Sequence, residues 1–204
     1  KYEESVTYCD KAIEIQKEID ARFDLARSYR YKASSLLFVD GELDNALETI
    51  NKAIDIYRTD EDRQYELMAS INGRGNILKY MGKYDEAIAD YTYNYEQSID
   101  LGLERYTIPS LGNIGHVYLM QEKYREALPY ILEAIDIMKE SGDTKNLWEN
   151  LMHASDIYAE LGDYEKAYEY NLNYSKEYAK YLNTIIERLE SEAQIKYATA
   201  QKDA

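Results

Sequence analysis

The feature that most constrains this chain is a short motif that recurs at a nearly constant interval. The copy at residues 82–87 reads Gly-Lys-Tyr-Asp-Glu-Ala, and related copies lie at residues 41–46, 122–127 and 162–167. A degraded copy opens the chain at residues 2–5. Successive small residues that end the copies are 41 or 40 positions apart: Ser5, Ala46, Ala87, Ala127 and Ala167. A fixed period of this length is typical of repeat proteins, so the sequence predicts one continuous array.

Two amphipathic segments fill each period. Apolar residues at helical spacing follow each motif, as in Ala46, Ile50 and Ile54, and a second apolar stripe precedes it. The pattern predicts a unit of helix, tight turn and helix, with the second helix starting at the motif. Glycine opens three of the motifs, where the end of a helix favours a left-handed residue. Glu122 takes its place in the fourth copy, so that turn is expected to be more strained or differently shaped.

The pattern resembles the tetratricopeptide repeat. The resemblance rests on small residues in the middle of each first helix, a Leu or Tyr three positions later and the Gly-x-Tyr-x-x-Ala turn, although the family period is about 34 residues. It covers residues 1 to about 182 and implies an all-α fold, a right-handed superhelical solenoid of antiparallel helix pairs. The array is predicted to contain a half repeat and four pairs: residues 1–20, then about 22–59, 60–102, 103–142 and 143–182.

The C-terminal segment carries a pattern of its own. Thr184-Ile-Ile-Glu187 is typical of a capping box, and Leu189, Ala193, Tyr197 and Ala200 share one helical face. Residues 183–204 are therefore expected to form an additional C-terminal capping or signalling helix. A Tyr-rich array followed by such a tail is similar to the periplasmic sensor regions of Bacteroidetes-type transcriptional regulators and sensor kinases.

That second resemblance implies a periplasmic part of a membrane-anchored protein, with a cytoplasmic location as the alternative. The chain begins in mid-repeat at Lys1 without an initiator Met, so it is expected to be an excerpt from a longer polypeptide.

Composition excludes several classes of function. The formal charge of −15, from 39 acidic and 24 basic residues, argues against direct binding of nucleic acid, which needs clustered Lys and Arg. The single cysteine, Cys9, excludes an internal disulfide and a multi-cysteine zinc site, and it is expected to be a buried packing residue. The sequence contains no run of about 18 apolar residues, so no membrane span is predicted. Motifs for phosphate loops and nucleophile elbows are lacking, so neither a cofactor nor an enzymatic activity is predicted.

The resemblance also implies where a partner would lie, because first helices line the concave face of tetratricopeptide arrays. Asn72 and Asn76 are four residues apart on one helical face, and amide side chains suit the backbone of an extended peptide. Their alternative role is hydrogen bonding to turns between helices, or solvation. The predicted ligand-binding groove consists of Tyr31, Phe38, Asn72, Asn76, Tyr80, Asn113, His116, Met152, His153 and Asp156.

The carboxylate clamp known in the family matches this chain only in part. Its positions correspond to Asn72, Asn76, Asn113, Glu149 and His153, but the expected cations are missing at Asn72 and Glu149. A C-terminal chaperone tail is therefore a poor ligand candidate.

Three functions follow from these patterns. The first is a non-enzymatic module that binds a peptide or protein segment, as the sensor or interaction region of a larger bacterial regulatory protein. The alternative is a structural assembly scaffold that self-associates through the tail or the open repeat end. A third, enzymatic hypothesis needs a metal or acid-base cluster of Glu149, His153 and Asp156 with His116. This cluster matches no known signature, and no metal site is predicted.

Overall fold

The structure is a computed structural model that describes residues 1–142, 144 and 146–202. This described part is helical and contains no strand, in agreement with the predicted fold class. It divides into two compact units, Lys1–Gln121 and Glu122–Ala204. The first unit contains α1 (Tyr2–Glu18), α2 (Arg22–Leu36), α3 (Leu43–Tyr57), a 3₁₀ turn (Glu61–Arg63), α4 (Gln64–Tyr80), α5 (Tyr84–Asp100) and α6 (Glu104–Met120). The second contains α7 (Tyr124–Ser141), α8 (Leu147–Glu160) and α9 (Tyr164–Lys202).

Within the first unit, each helix from α1 to α5 packs on the next one along the chain, and α2 also contacts α4. The repeat explains this arrangement, because each inner helix, α2 to α5, packs against the helix before it and the helix after it. Small side chains allow the close approach: Ala26, Ala33, Ala46 and Ala87 are completely buried. Larger residues such as Ile50 and Met68 fill the remaining space, so the core runs along the unit.

The repeated motif forms the turn between the helices of a pair. As predicted, the second helices α3, α5, α7 and α9 begin inside the motif, at Leu43, Tyr84, Tyr124 and Tyr164. Gly82 has a φ of 74°, in the left-handed region, and Glu122 adopts the same conformation with a φ of 57°. The expected strain at Glu122 is thus confirmed, at a cost of roughly 1 kcal/mol for a residue with a Cβ atom.

In the second unit, α8 packs on both α7 and α9. Trp148, at the start of α8, contacts Tyr178 and Tyr181 of α9, with ring centroids 5.1 and 5.3 Å apart. These large rings hold α8 against the middle of α9, because aromatic pairs at such distances add to the stabilisation from buried area.

Helix α9 is 39 residues long and passes through the position where the tail was predicted to begin. The hydroxyl of Thr184 donates to the carbonyl oxygen of Lys180, 3.1 Å away, which is a contact made inside a helix. The predicted capping box is therefore wrong, and residues 183–202 continue the preceding helix. Residues 203 and 204 of the predicted tail, and residues 143 and 145 of the last predicted pair, lie outside the described residues, as does the side chain of Ala200. The division of the chain into array and tail stays a prediction.

In the ranges that the structure describes, no helix combines the length and the apolar character that crossing a membrane requires.

Candidate binding faces of α4 and α8

One face of α4 collects polar side chains that point away from the core. Asn72, Asn76 and Lys79 follow one another at intervals of four and three residues, so they are neighbours along one side of the helix. All three side chains are half-buried. We call these three residues the α4 face.

The two amide oxygens of the α4 face are already occupied. The hydroxyl of Tyr91 on α5 donates to Oδ1 of Asn76 over 2.8 Å, and Nδ2 of Asn113 on α6 donates to Oδ1 of Asn72 over 3.1 Å. Neither NH₂ group of Asn72 or Asn76 donates to a protein atom in the part of the chain that the structure describes. The face consequently presents hydrogen-bond donors to a ligand.

Tyr91 can reach Asn76 only because the neighbouring residue is a glycine. A Cβ atom added to Gly75 would lie 2.7 Å from Cε1 of the Tyr91 ring, which is too close for any contact. The ring is completely buried beneath α4, and this burial, together with the adjacent Asp90 carboxylate, raises the pKa of the Tyr91 hydroxyl. The hydroxyl therefore stays protonated and donates its hydrogen bond to Asn76.

An ion pair between Arg74 of α4 and Asp90 of α5 also joins these two helices. Two guanidinium nitrogens of Arg74 donate to the two carboxylate oxygens of Asp90 over 2.6 and 2.8 Å, and a third donates to Asn51 of α3 over 3.2 Å. The hydrogen bond with Asp90 raises the pKa of Arg74, so the cation persists although it is partly buried. Bidentate pairs of this kind fix geometry as well as contribute energy, so α3, α4 and α5 are held in register.

Two further predicted groove residues, Tyr31 and Phe38, lie on or just after α2. Tyr31 lines an open cavity of 860 Å³ between α1 and α2, together with Tyr2, Tyr8 and Cys9. Phe38 stacks on Tyr2 with ring centroids 4.9 Å apart. Sequence reasoning missed the contribution of α1 to this cavity, since the degraded first motif indicated only a packing helix.

Cys9 is half-buried rather than fully buried, so its assignment as core packing is wrong in part. Burial, with a smaller effect from Asp10, raises the pKa of its thiol. A raised pKa disfavours the thiolate, so Cys9 is not activated as a nucleophile.

Tyr80 and His116 are the remaining predicted residues of the first unit. Tyr80 ends α4 and is exposed, and the ammonium of Lys79 lies 5.9 Å from the centre of its ring. His116 is half-buried on α6. Of the predicted groove residues, a hydrogen bond joins Asn113 to Asn72, whereas Asn76 is bonded to Tyr91.

The remaining predicted residues lie on α8. Met152 and His153 are half-buried, whereas Asp156 is exposed. Burial lowers the pKa of His153, and the nearby carboxylates of Asp156 and Glu149 oppose this shift only partly. Within the described residues, no group of three or more His, Cys, Asp or Glu side chains is arranged to hold a metal ion.

Sequence reasoning missed Lys79, although its spacing from Asn72 and Asn76 was readable. The prediction followed the positions that resembled known groove residues, and Lys79 is not one of them. The signal that identifies it is tertiary: the side chain is half-buried and makes no hydrogen bond or ion pair with any residue that the structure describes.

The family model described as "Tetratricopeptide repeat" matches residues 65–140 and 106–172, which together span more than half of the 204-residue chain. No curated protein matches the chain by sequence.

Several solved structures share the fold. Aspartyl phosphate phosphatase F from Bacillus subtilis has 20% identity and a TM-score of 0.80, over 86% of this chain and 45% of its own. A Rap protein complexed with competence and sporulation factor has 16% identity and a TM-score of 0.61, over 88% and 56%. A kinesin light chain from Podosopora anserina with nearly identical TPR-like repeats has 15% identity and a TM-score of 0.67, over 89% of each chain. The chain thus spans about half the length of the first two proteins.

Proposed function

The chain belongs to the tetratricopeptide repeat family, a family of protein-interaction modules, and from this premise we propose that it binds a peptide or protein segment without catalysing a reaction. We further propose that it serves as the sensor or interaction region of a larger bacterial regulatory protein. The similar Rap structure was solved with competence and sporulation factor, which supports a ligand-binding role. Because another similar structure is a phosphatase, the absence of catalysis is part of the proposal.

The observation that carries this proposal is the donor character of the α4 face. An extended peptide has a row of carbonyl oxygens that are not used by its own secondary structure, and it binds surfaces that supply matching donors. Asn72 and Asn76 supply such donors, because Tyr91 and Asn113 occupy their oxygens and so orient their NH₂ groups. Orientation before binding reduces the entropy that a ligand must overcome.

The test is selection from a phage-displayed library of random peptides on the immobilised protein, followed by affinity measurement with the selected peptides. The double variant Asn72→Asp with Asn76→Asp keeps an acceptor for Tyr91 and for Asn113 but removes both NH₂ groups. We expect it to weaken binding at least about 10-fold, because each lost hydrogen bond contributes about 1 kcal/mol.

The matched control is Asn171→Asp with Asn183→Asp, which adds the same charge at two exposed positions of α9. Equal affinity of both double variants would show that the α4 face does not contact the peptide. If the library yields no peptide that binds the wild-type chain, the proposed function is wrong.

Self-association as a scaffold is a second candidate, favoured by the apolar surface of α9. Past the contacts of Trp148, the helix exposes Leu182, Ile186, Leu189 and Tyr197, three of which are aliphatic residues at intervals of four and three. A helix seam of this spacing is typical of helix–helix association. Sedimentation of the wild-type chain and of Ile186→Asp with Leu189→Asp tests this candidate, and a wild-type chain that stays monomeric at high concentration would exclude it.

A further inference from the structure

We propose that Lys79 binds a carboxylate group of the ligand, with the NH₂ groups of Asn76 and Asn72 continuing the contact along the ligand backbone. This inference rests on the proposed function and names the chemistry of the partner: a peptide that presents a carboxylate, from its C-terminus or from an Asp or Glu side chain. The position differs from the carboxylate clamp of the family, whose cation at Asn72 is missing in this chain.

The first argument is the contrast between two lysines. Among the lysines whose side chains the structure describes, Lys32 and Lys79 are the two that are half-buried. Lys32 donates to Oδ1 of Asp10 over 2.7 Å. Lys79 forms no ion pair and no hydrogen bond with the described residues. A partly desolvated cation without a counter-charge costs free energy, and this cost is typical of binding positions rather than of structural ones.

Electrostatics point the same way. Burial lowers the pKa of Lys79, and no acidic side chain counteracts the shift. A carboxylate supplied by a ligand would restore the missing counter-charge and raise the pKa of Lys79 again.

The geometry of α4 decides which anion fits. Lys79 lies three residues from Asn76 and seven from Asn72, so one ammonium and two amide NH₂ groups line a single side of the helix. A carboxylate has two acceptor oxygens, and the backbone that carries it offers further carbonyl oxygens to the amides. A phosphate dianion would favour several cations or an arginine fork, which this face does not provide.

The first experiment uses a small probe and needs no knowledge of the natural ligand. Lysine amines are labelled by reductive ¹³C-methylation, and the Lys79 signal is assigned by its loss in Lys79→Gln. N-acetylglycine should shift this signal and raise its pKa, whereas N-acetylglycinamide, which lacks the carboxylate, should not. The signal of Lys32 is the internal control, because Asp10 already neutralises it. A Lys79 signal that ignores both probes, or responds equally to both, would overturn the proposal.

The second experiment uses the peptides selected from the random library. Each is synthesised with a free or an amidated C-terminus and with every Asp and Glu replaced by Asn and Gln. We expect one of these changes to the peptide to weaken its binding to the wild-type chain about 10-fold or more, as loss of a hydrogen bond between charged groups does. The same change should not alter the affinity of the peptide for the Lys79→Gln variant. Which change has the effect identifies the source of the carboxylate. The control variant Lys83→Gln removes the same charge at an exposed residue and should bind like the wild type.

The outcomes separate this inference from the function on which it rests. Peptides that lose affinity for Asn72→Asp with Asn76→Asp but bind equally well to Lys79→Gln would leave the groove in place and overturn the carboxylate site. If no peptide binds, the proposed function fails, and the response of Lys79 to N-acetylglycine alone decides whether the carboxylate site exists.

Discussion

Helix pairs α4–α5 and α8–α9 have the same repeat pattern but present different chemistry. The α4 face offers two amides and an ammonium, whereas the equivalent positions of α8 are occupied by Met152, Asp156 and Ala159, that is, by a thioether, a carboxylate and a methyl group. The difference shows that the repeat determines where a side chain lies, while the residue at that position determines what the surface can bind.

The two pairs also differ in how their helices are joined. In α4–α5, Gly75 makes room for the Tyr91 ring, and Arg74 pairs with Asp90. In α8–α9, Ser155 occupies the position equivalent to Gly75, and its hydroxyl donates to the carbonyl oxygen of Ala167 over 2.9 Å. Stacked rings of Tyr158 and Tyr170 replace the ion pair. The first pair therefore depends on buried charge and the second on aromatic contacts.

The largest effect should come from removing the cation of the first pair. Arg74→Met leaves the Asp90 carboxylate buried without its partner, which we expect to lower the free energy of unfolding by about 3 kcal/mol. Urea unfolding followed by circular dichroism measures the change. The double variant Arg74→Met with Asp90→Leu should recover most of the loss, because the charge that has become unpaired is also gone. A single variant as stable as the wild type would contradict the ion pair's role.

A smaller effect is expected from the glycine that admits Tyr91. Gly75→Ala should destabilise the chain by about 2 kcal/mol, because the new methyl group overlaps the Tyr91 ring. Gly73→Ala, two residues away in the same helix, is the matched control. Its methyl group would lie 3.5 Å from Cδ1 of Ile50, an ordinary contact, so the better helix propensity of Ala should stabilise the chain by about 0.5 kcal/mol.

Thermal unfolding of Gly75→Ala and Gly73→Ala measures whether each substitution lowers or raises the stability of the chain. If both glycine variants are equally stable, Tyr91 adjusts more easily than the structure indicates. The peptide affinity of Gly75→Ala should fall as well, since displacement of the Tyr91 hydroxyl releases Oδ1 of Asn76.

The smallest effect should be a pH dependence in the second pair. Burial lowers the pKa of His153 below 6.5, its usual value, so the unfolded chain binds this proton more tightly than the folded chain does. Stability should therefore fall as the pH drops below about 6.5 and through the folded-state pKa. Fluorescence of Trp148, the single tryptophan, reports unfolding by urea between pH 5 and 7.5.

Two variants sharpen this measurement. His153→Gln should remove its part of the pH dependence. Asp156→Asn removes a carboxylate that favours the protonated imidazole, so it should steepen the loss of stability at acidic pH. A pH profile that is unchanged in both variants would show that His153 titrates normally in the folded chain.

Local sequence patterns predicted most of the fold because the motif encodes its own turn. The starts of α3, α5, α7 and α9 were readable from Leu43, Tyr84, Tyr124 and Tyr164. The same reasoning failed at Thr184, where a capping box was expected inside α9, because hydrogen-bonding residues occur both at helix ends and inside helices. At Glu122 it correctly indicated strain, since a residue with a Cβ atom adopts the left-handed conformation there.

The candidate site was only partly predictable. The spacing of Asn72 and Asn76 placed them on one face, and the structure keeps them there. Their partners could not be foreseen, because Tyr91 and Asn113 are 15 and 41 residues away from the oxygens they contact. The alternative prediction was that these amides bond to turns between helices. Their oxygens instead accept hydrogen bonds from side chains of other helices.

By itself, then, the sequence determined the 40- or 41-residue period, the all-α fold and the turn at each motif, because helix periodicity and left-handed turns depend on neighbouring residues. Only the tertiary structure decided which amide oxygens are occupied, that Lys79 is half-buried without a counter-charge, and that α9 continues past Thr184. Desolvation and hydrogen-bond partners depend on helices that meet in space from distant parts of the chain. The same repeat pattern therefore supports both the donor-lined α4 face and the different set of Met152, Asp156 and Ala159 at the equivalent positions of α8.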